Sequence, residues 1–514
     1  MPDTDRPLPD FARRLLGASV DDRTAALDSV HPDYAAMEAD WTLLIDAFEG
    51  TGGFADGSYL WPYRNELHED YARRQQMARY HNYVETVIDL YVRHVFTQEP
   101  SRQTTNVDLQ DWWEDVDGHR TTITGFLRKA VALALAAGHA GILMDATPDE
   151  AIGPAKADQR SRPFLTAFTA TAIPDWRAVR NNVTGIKLRE AVPDNGIADP
   201  APDDTEQYLL WDVEGWARFS LKGELLDGGL SELGVLPFVV LRPKPSVLKP
   251  FVGRPLISNG RMVKALYNRM SEEDQVLRDQ AFSLLTVECL PDADVEAAKK
   301  QLGAEFGTQR AVVVAGKVKY ESPDMEVPAG IRANIAQIIR EIYRAAHMRF
   351  ESDSLQAESA EAIRLQYTEL NEMLLGLATA LKDTELTLAR FFFLWTEPTP
   401  EAADAAFEAA EVSVEYPEEF FLADLRVELD SWAQAIAMDL GHTMTQRIKK
   451  RAVRRLDPEI SVEEVKVIDA EIDAQPKDQQ AQIDGMSTRL RTDARLRLDA
   501  KQRLHGTVPL PEKP

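Results

Sequence analysis

The sequence predicts an α+β protein that is predominantly helical. Two patterns and one composition argument lead there. Apolar residues recur at steps of three and four through much of residues 31–96 and 256–395, the period of a helix with one buried face. Residues 140–245 instead hold short apolar or alternating runs bounded by glycine and proline, the signature of strands. The chain of 514 residues is 44 % hydrophobic and 28 % charged, enough to bury a core and unlike a disordered or collagen-like chain. Its length suits three or four units, or one large interdigitated architecture.

Residues 1–30 are polar and read as a flexible N-terminal arm, with one short helix at Phe11–Leu16. Tyr34, Met37, Trp41, Leu44, Ile45 and Phe48 then form one helix face, which the glycine-rich stretch Gly50–Gly57 interrupts. Leu67–Phe96 reads as one or two helices, with Tyr83, Val87, Leu90, Tyr91 and Val95 as a stripe and Pro100 as the stop. A helix over Gly125–Gly138 leads into the strand-like Gly141–Asp145. Strands are expected at Phe164–Thr171, Thr184–Glu190, Tyr208–Asp212, Ala217–Leu221 and Pro237–Leu241, with a hairpin turn at Val213–Trp216.

A helix follows over Leu256–Ser283, faced by Val263, Leu266, Tyr267 and Met270. Residues 284–328 read as a small α/β insert: strands Leu284–Cys289, Ala311–Val314 and Lys317–Tyr320, with a short helix Asp294–Leu302. The helix Ala329–Phe350 is lined by Ile331, Ile335, Ile338, Ile339, Ile342 and Ala346. Arg332, Arg340 and Arg344 share its other face. Glu351, Ser352, Asp353, Ser354, Leu355 and Gln356 make a polar break. The longest helix, Ala357–Trp395, carries a heptad-like seam of Ile363, Tyr367, Leu370, Leu374, Leu377 and Leu381, with Gly376 as the expected bend. After Pro398 and Pro400 come a strand Val412–Tyr416, helices Phe420–Met438, His442–Leu456 and Val462–Ile472, and a polar tail.

Lys plus Arg number 58 and Asp plus Glu 84, a net charge of −26, which excludes a global basic footprint for gripping nucleic acid. The single cysteine, Cys289, has no internal disulfide partner, and the polar opening resembles no signal peptide, so a cytoplasmic setting or a particle assembled there is expected. The longest uncharged run, Ala130–Met144, is 15 residues, short of the ~20 that a membrane-spanning helix requires. No membrane association is expected.

Chemistry-bearing motifs are absent. Gly50–Gly57 lacks a following Lys-Ser or Lys-Thr and reads as a plain loop. The nine histidines show no metal-ligand spacing, Asp115 and Asp117 are an acidic pair of the kind such a chain produces by chance, and no Gly-x-Ser-x-Gly elbow occurs. No catalytic residue, cofactor or metal is expected. The arginine face of Arg332, Arg340 and Arg344 fits a solvated or ion-paired helix side, or a basic ring touching phosphate when many copies assemble. The heptad seam fits packing within the subunit or between subunits.

The order helix, small α/β insert, helix, polar break, very long helix resembles the portal proteins of tailed bacteriophages. Local stretches are also similar to one branch of that family: Arg162–Thr166 through Ile173–Trp176, Ala140–Asp145, Tyr91–Phe96 and Val414–Phe420. The resemblance covers about residues 31–475. It implies a homo-oligomeric ring, usually of twelve copies, at one vertex of a capsid in the virion, assembled in the host cytoplasm. Double-stranded DNA would pass through its channel without sequence recognition during packaging and ejection. Terminase, a head–tail connector or adaptor protein, and the major capsid protein would be partners. Mapped onto this chain, 31–255 is the wing, 256–283 and 329–350 the stem, 284–328 the clip and 351–358 the tunnel loop. The long wing helix is 359–399, with wing or crown helices over 400–475 and crown or disordered tail over 476–514. The clip residues Glu296, Lys299, Lys300, Gln301 and Glu305 would dock terminase or connector. Glu351–Gln356 would face DNA, and the three stem arginines could. A different capsid-associated or scaffolding protein, and an acidic cytoplasmic enzyme, remain as alternatives.

Overall fold

The computed structural model describes residues 7–146, 162–179, 182–192, 205–280, 284–288, 311–314, 318–321, 326–348, 360–417, 420, 436, 441–456 and 462–474. The chain divides into two compact units, 1–420 and 421–514.

In the larger unit the N-terminal helices are α1 (Asp10–Gly17), α2 (Val20–Asp28), α3 (Pro32–Glu49), the single turn α4 (Gly53–Asp56), α5 (His68–Met77) and α6 (Tyr83–Val95). Strand β1 (Ser101–Gln103) precedes α7 (Val107–Glu114) and α8 (Ile123–Ala137). Polar side chains start several of these helices: Ser19, Asn82, Asn106 and Thr122 each accept a backbone N–H of the first turn. Next come β2 (Ala140–Ala146), β3 (Pro163–Thr169), β4 (Asp175–Val179), β5 (Asn182–Ala191), β6 (Glu206–Asp212), β7 (Gly215–Ser220), β8 (Leu225–Leu230) and β9 (Phe238–Leu241). They form two antiparallel sheets, β3-β2-β9 and β4-β5-β6-β7-β8.

The two sheets share a core with α3 and α8. Tyr34, Trp41, Leu143, Phe168, Trp176, Leu188, Trp211 and Phe238 are all buried in it. The α8–β2 joint requires glycine. A Cβ on Gly138, whose φ is +96°, would lie 2.5 Å from the Gly253 carbonyl oxygen, and one on Gly253 would lie 1.8 Å from that of Gly138.

Residues 8–28 are not a flexible arm. Ala12 and Leu27 pack with Tyr208, Ala217 and Phe219 against the five-stranded sheet. Buried Lys187 of β5 donates to the Ala26, Leu27 and Ser29 carbonyls at the end of α2, closing groups that a helix C-terminus leaves open. The alternating strand pattern hid both contacts, because Lys187 reads as a solvent-facing position.

The remaining elements are α9 (Gly260–Gln280), β10 (Leu284–Glu288), β11 (Ala311–Val314), β12 (Val318–Glu321), α10 (Glu326–Ala345), α11 (Ala360–Thr396), α12 (Pro400–Ala409) and β13 (Ser413–Glu415). Helix α11 runs 37 residues without interruption and passes through Gly376, the position expected for a bend. That glycine has no neighbour within 4 Å of a would-be Cβ, and Leu370, Leu374, Leu377 and Leu381 hold a continuous buried seam past it. Strand β13 pairs antiparallel with β1, joining segments about 300 residues apart. The smaller unit contains α13 (His442–Leu456) and α14 (Val462–Ala474), in which Ile448 and Ile472 are buried and Lys450 pairs with Asp473 at 2.7 Å.

Candidate functional site: a helix hairpin carrying a small sheet

Helices α9 and α10 pack together as a hairpin. Arg332, near the start of α10, hydrogen-bonds Glu273, near the end of α9, as antiparallel neighbours would. Both partners keep solvent contact, with side chains 56 % and 20 % exposed, so the pair stabilises the hairpin by about 0–1 kcal/mol. Apolar residues of both helices are buried: Val263, Leu266 and Tyr267 on α9, and Ile335, Ile339 and Ile342 on α10.

Its base is keyed into the helical body. Buried Asn268 accepts the Trp61 N–H at 2.6 Å and donates to the Tyr59 and Lys264 carbonyls at 3.1 and 2.8 Å. Tyr267 meets Phe54 edge to face at 5.4 Å. At the other foot, the Tyr91 hydroxyl donates to the Ala346 carbonyl at 2.6 Å. Helix α10 stops there rather than at the expected Phe350. His347 takes a left-handed φ of +53°, and the N–H groups of His347 and Met348 return to the Arg344 and Tyr343 carbonyls. This is a Schellman closure with histidine where glycine is usual, which is why the sequence showed no stop.

At the opposite end α9 runs into β10 and β12 runs into α10. The three strands form one sheet in the order β11-β10-β12, with β10 parallel to β11 and antiparallel to β12. A parallel pair requires a crossover, and 22 residues, 289–310, separate the two strands. The expected clip residues Glu296, Lys299, Lys300, Gln301 and Glu305, Cys289, and the expected tunnel residues Glu351–Gln356 all lie outside the described residues.

The three arginines do not behave alike. Arg332 is engaged by Glu273, Arg344 is exposed and lies 3.7 Å from Glu341 on its own helix, and Arg340 is exposed. The Asp115/Asp117 pair closes a turn: Asp115 accepts the Arg120 N–H, and Asp117 accepts those of His119 and Thr121. Among the described residues no group of three His, Cys, Asp or Glu side chains could hold a metal ion, and no helix is long and apolar enough to cross a membrane.

The long helix that follows is locked to the body by a polar cluster that spacing did not reveal. Glu385 of α11, 1 % exposed at its side chain, takes a bidentate pair from Arg102 of β1 at 2.6 and 2.9 Å. Arg102 also donates to Thr124 at 2.8 Å, and the Tyr416 hydroxyl donates to Glu385. Burial and the adjacent carboxylate push the Tyr416 phenol far above its ordinary value, so it remains a donor. Arg102 and Glu385 lie 283 residues apart in sequence, so local periodicity carries no trace of their pairing.

No family model and no curated protein matches the chain. Solved structures show a loose likeness. A chain in the neck of an empty GTA particle, computed with C6 symmetry, is 12 % identical with a TM-score of 0.40, covering 77 % of this chain and 94 % of that one. A chain in the virion of a native gene transfer agent (GTA) particle is 14 % identical with a TM-score of 0.37, covering 78 % and 96 %. A third, in the neck of a native GTA particle computed with C12 symmetry, is 10 % identical with a TM-score of 0.39, covering 68 % and 84 %.

Proposed function

We propose that this chain is a phage-like head–tail structural protein, specifically the portal subunit. In this reading many copies form a ring at one capsid vertex, whose channel passes double-stranded DNA during packaging and ejection. The observation that carries the reading is the element order: hairpin α9/α10, a three-stranded sheet at its end, then the 37-residue helix α11. In the portal arrangement these are stem, clip and wing helix. The insert would dock terminase and then a connector protein, and the outer body would meet the major capsid protein.

The charge balance suits a conduit. Each retained phosphate contact would resist movement of the DNA, and a subunit of net charge −26 disfavours such contacts. The exposed Arg340 and Arg344 would supply at most weak, salt-sensitive contacts. No energy-converting site belongs to this reading, so movement would be driven by a partner.

Native mass together with end-on particle images tests the proposal. A closed cyclic ring of twelve 57.6 kDa chains has a mass of roughly 0.7 MDa and a central hole. A compact dimer without a hole, stable to dilution and to added capsid protein, would refute the portal reading.

A further inference from the structure

One cavity of the larger unit sets an arginine, Arg242, into a largely apolar wall. It measures about 650 Å³, and its lining includes His31, Trp176, Val240, Arg242, Phe251 and Thr387. Two edge strands, β4 and β9, contribute to its walls, as does α11. Trp176 stacks on His31 at 4.0 Å and 19° and on Phe251 at 4.2 Å and 10°, giving one side a rigid aromatic wall.

Arg242 is the unbalanced member. Its guanidinium donates to the Pro250 carbonyl, and among the described residues no carboxylate lies within ion-pairing distance of it. Asp33, the acid on the cavity lining, is taken by Lys249 at 3.0 Å. A guanidinium has five N–H donors, and one that is partly withdrawn from water without an anionic partner is costly. Burial indeed lowers the pKa of Arg242. The volume lies within the ~300–1,000 Å³ of small-molecule sites, and a largely apolar wall with a few charged groups is their usual composition.

We propose that this cavity binds a small organic anion, with a carboxylate, phosphate or sulfonate on Arg242 and a flat apolar body against the aromatic and aliphatic walls. The arginine would supply a charge-assisted, forked contact. The apolar body would replace water against Phe251, Val240 and the neighbouring side chains. This site is independent of the ring proposal, since it lies within one chain.

The probe is 1-anilinonaphthalene-8-sulfonate, titrated by fluorescence into the full-length protein, with neutral N-phenyl-1-naphthylamine as the uncharged control. One sulfonate dye per chain is expected. Arg242→Met should weaken it tenfold or more while changing the neutral dye by less than twofold. Ala178→Trp, on the cavity wall contributed by β4, should weaken both dyes. In the wild type, benzoate should displace the sulfonate dye and benzyl alcohol should not, a comparison that needs no variant to fold. Equal sulfonate binding by wild type and Arg242→Met, or displacement by the alcohol as readily as by benzoate, would overturn the proposal. So would a dye stoichiometry that falls as protein concentration rises, because an acid from a second copy would then occupy the cavity.

Discussion

His139 should make the larger unit acid-sensitive well above the range in which carboxylates titrate. It sits at the start of the α8–β2 joint with no solvent exposure, edge to face with Trp41 at 5.1 Å and with Phe251 at 5.6 Å. Among the described residues neither ring nitrogen has a hydrogen-bond partner. Burial, and secondarily the positive charge of Arg242, hold its pKa down to about 3. In the unfolded chain an imidazole titrates near ~6.5. Above that pH both states are neutral and the group contributes no pH dependence. As pH falls from about 6.5 toward 3, the unfolded chain takes up a proton that the folded chain refuses, so stability declines by up to about 1.4 kcal/mol per pH unit. At pH 5 this amounts to about 2 kcal/mol. His139→Leu has similar volume and no titrating group. Urea unfolding of wild type and variant at pH 7 and pH 5, followed by tryptophan fluorescence, measures the effect while other titrating groups cancel between them. The variant should gain about 2 kcal/mol relative to wild type on going to pH 5. An unchanged difference between the two pH values would refute the reasoning, since it would mean that His139 binds its proton equally well in both states.

Further outcomes follow from the packing. Glu385→Gln should destabilise the larger unit by about 3–5 kcal/mol, because Arg102 would stay buried without its bidentate ion-pair partner, whereas Tyr416→Phe should cost only about 1 kcal/mol. Urea midpoints that rank the two variants in the opposite order would reject this account of the cluster. Gly253→Ala places a methyl group against the Gly138 backbone and should cost about 1–3 kcal/mol or more, read as a lowered Tm. Arg332→Ala should change stability by less than about 1 kcal/mol, as expected for a solvent-exposed pair, checked by the same urea titration. Under the portal reading, replacing residues 284–321 by a short linker should leave a ring in native mass measurements and abolish terminase capture. General unfolding instead would identify the insert as core.

The sequence alone determined the kind and order of most elements, because helix and strand periodicity are local properties of a chain with one buried face. The seam through Leu370, Leu374, Leu377 and Leu381, the Ile335–Ile342 face, and strands such as Ala311–Val314 were legible for that reason. Strand β8, with two adjacent glycines, and the three-residue β1 were not, because each gains strand geometry only from its partner. Tertiary structure alone decided where charges are buried. Lys187 reads as a surface residue until α2 presents three carbonyls to it, and Glu385 reads as one more acid on a helix until Arg102 arrives from β1. His139 and Arg242 carry no motif, and their properties come from what surrounds them or fails to. Burying a charge is favourable only when its partners converge in space. That convergence is set by how distant segments pack, and spacing along the chain does not encode it.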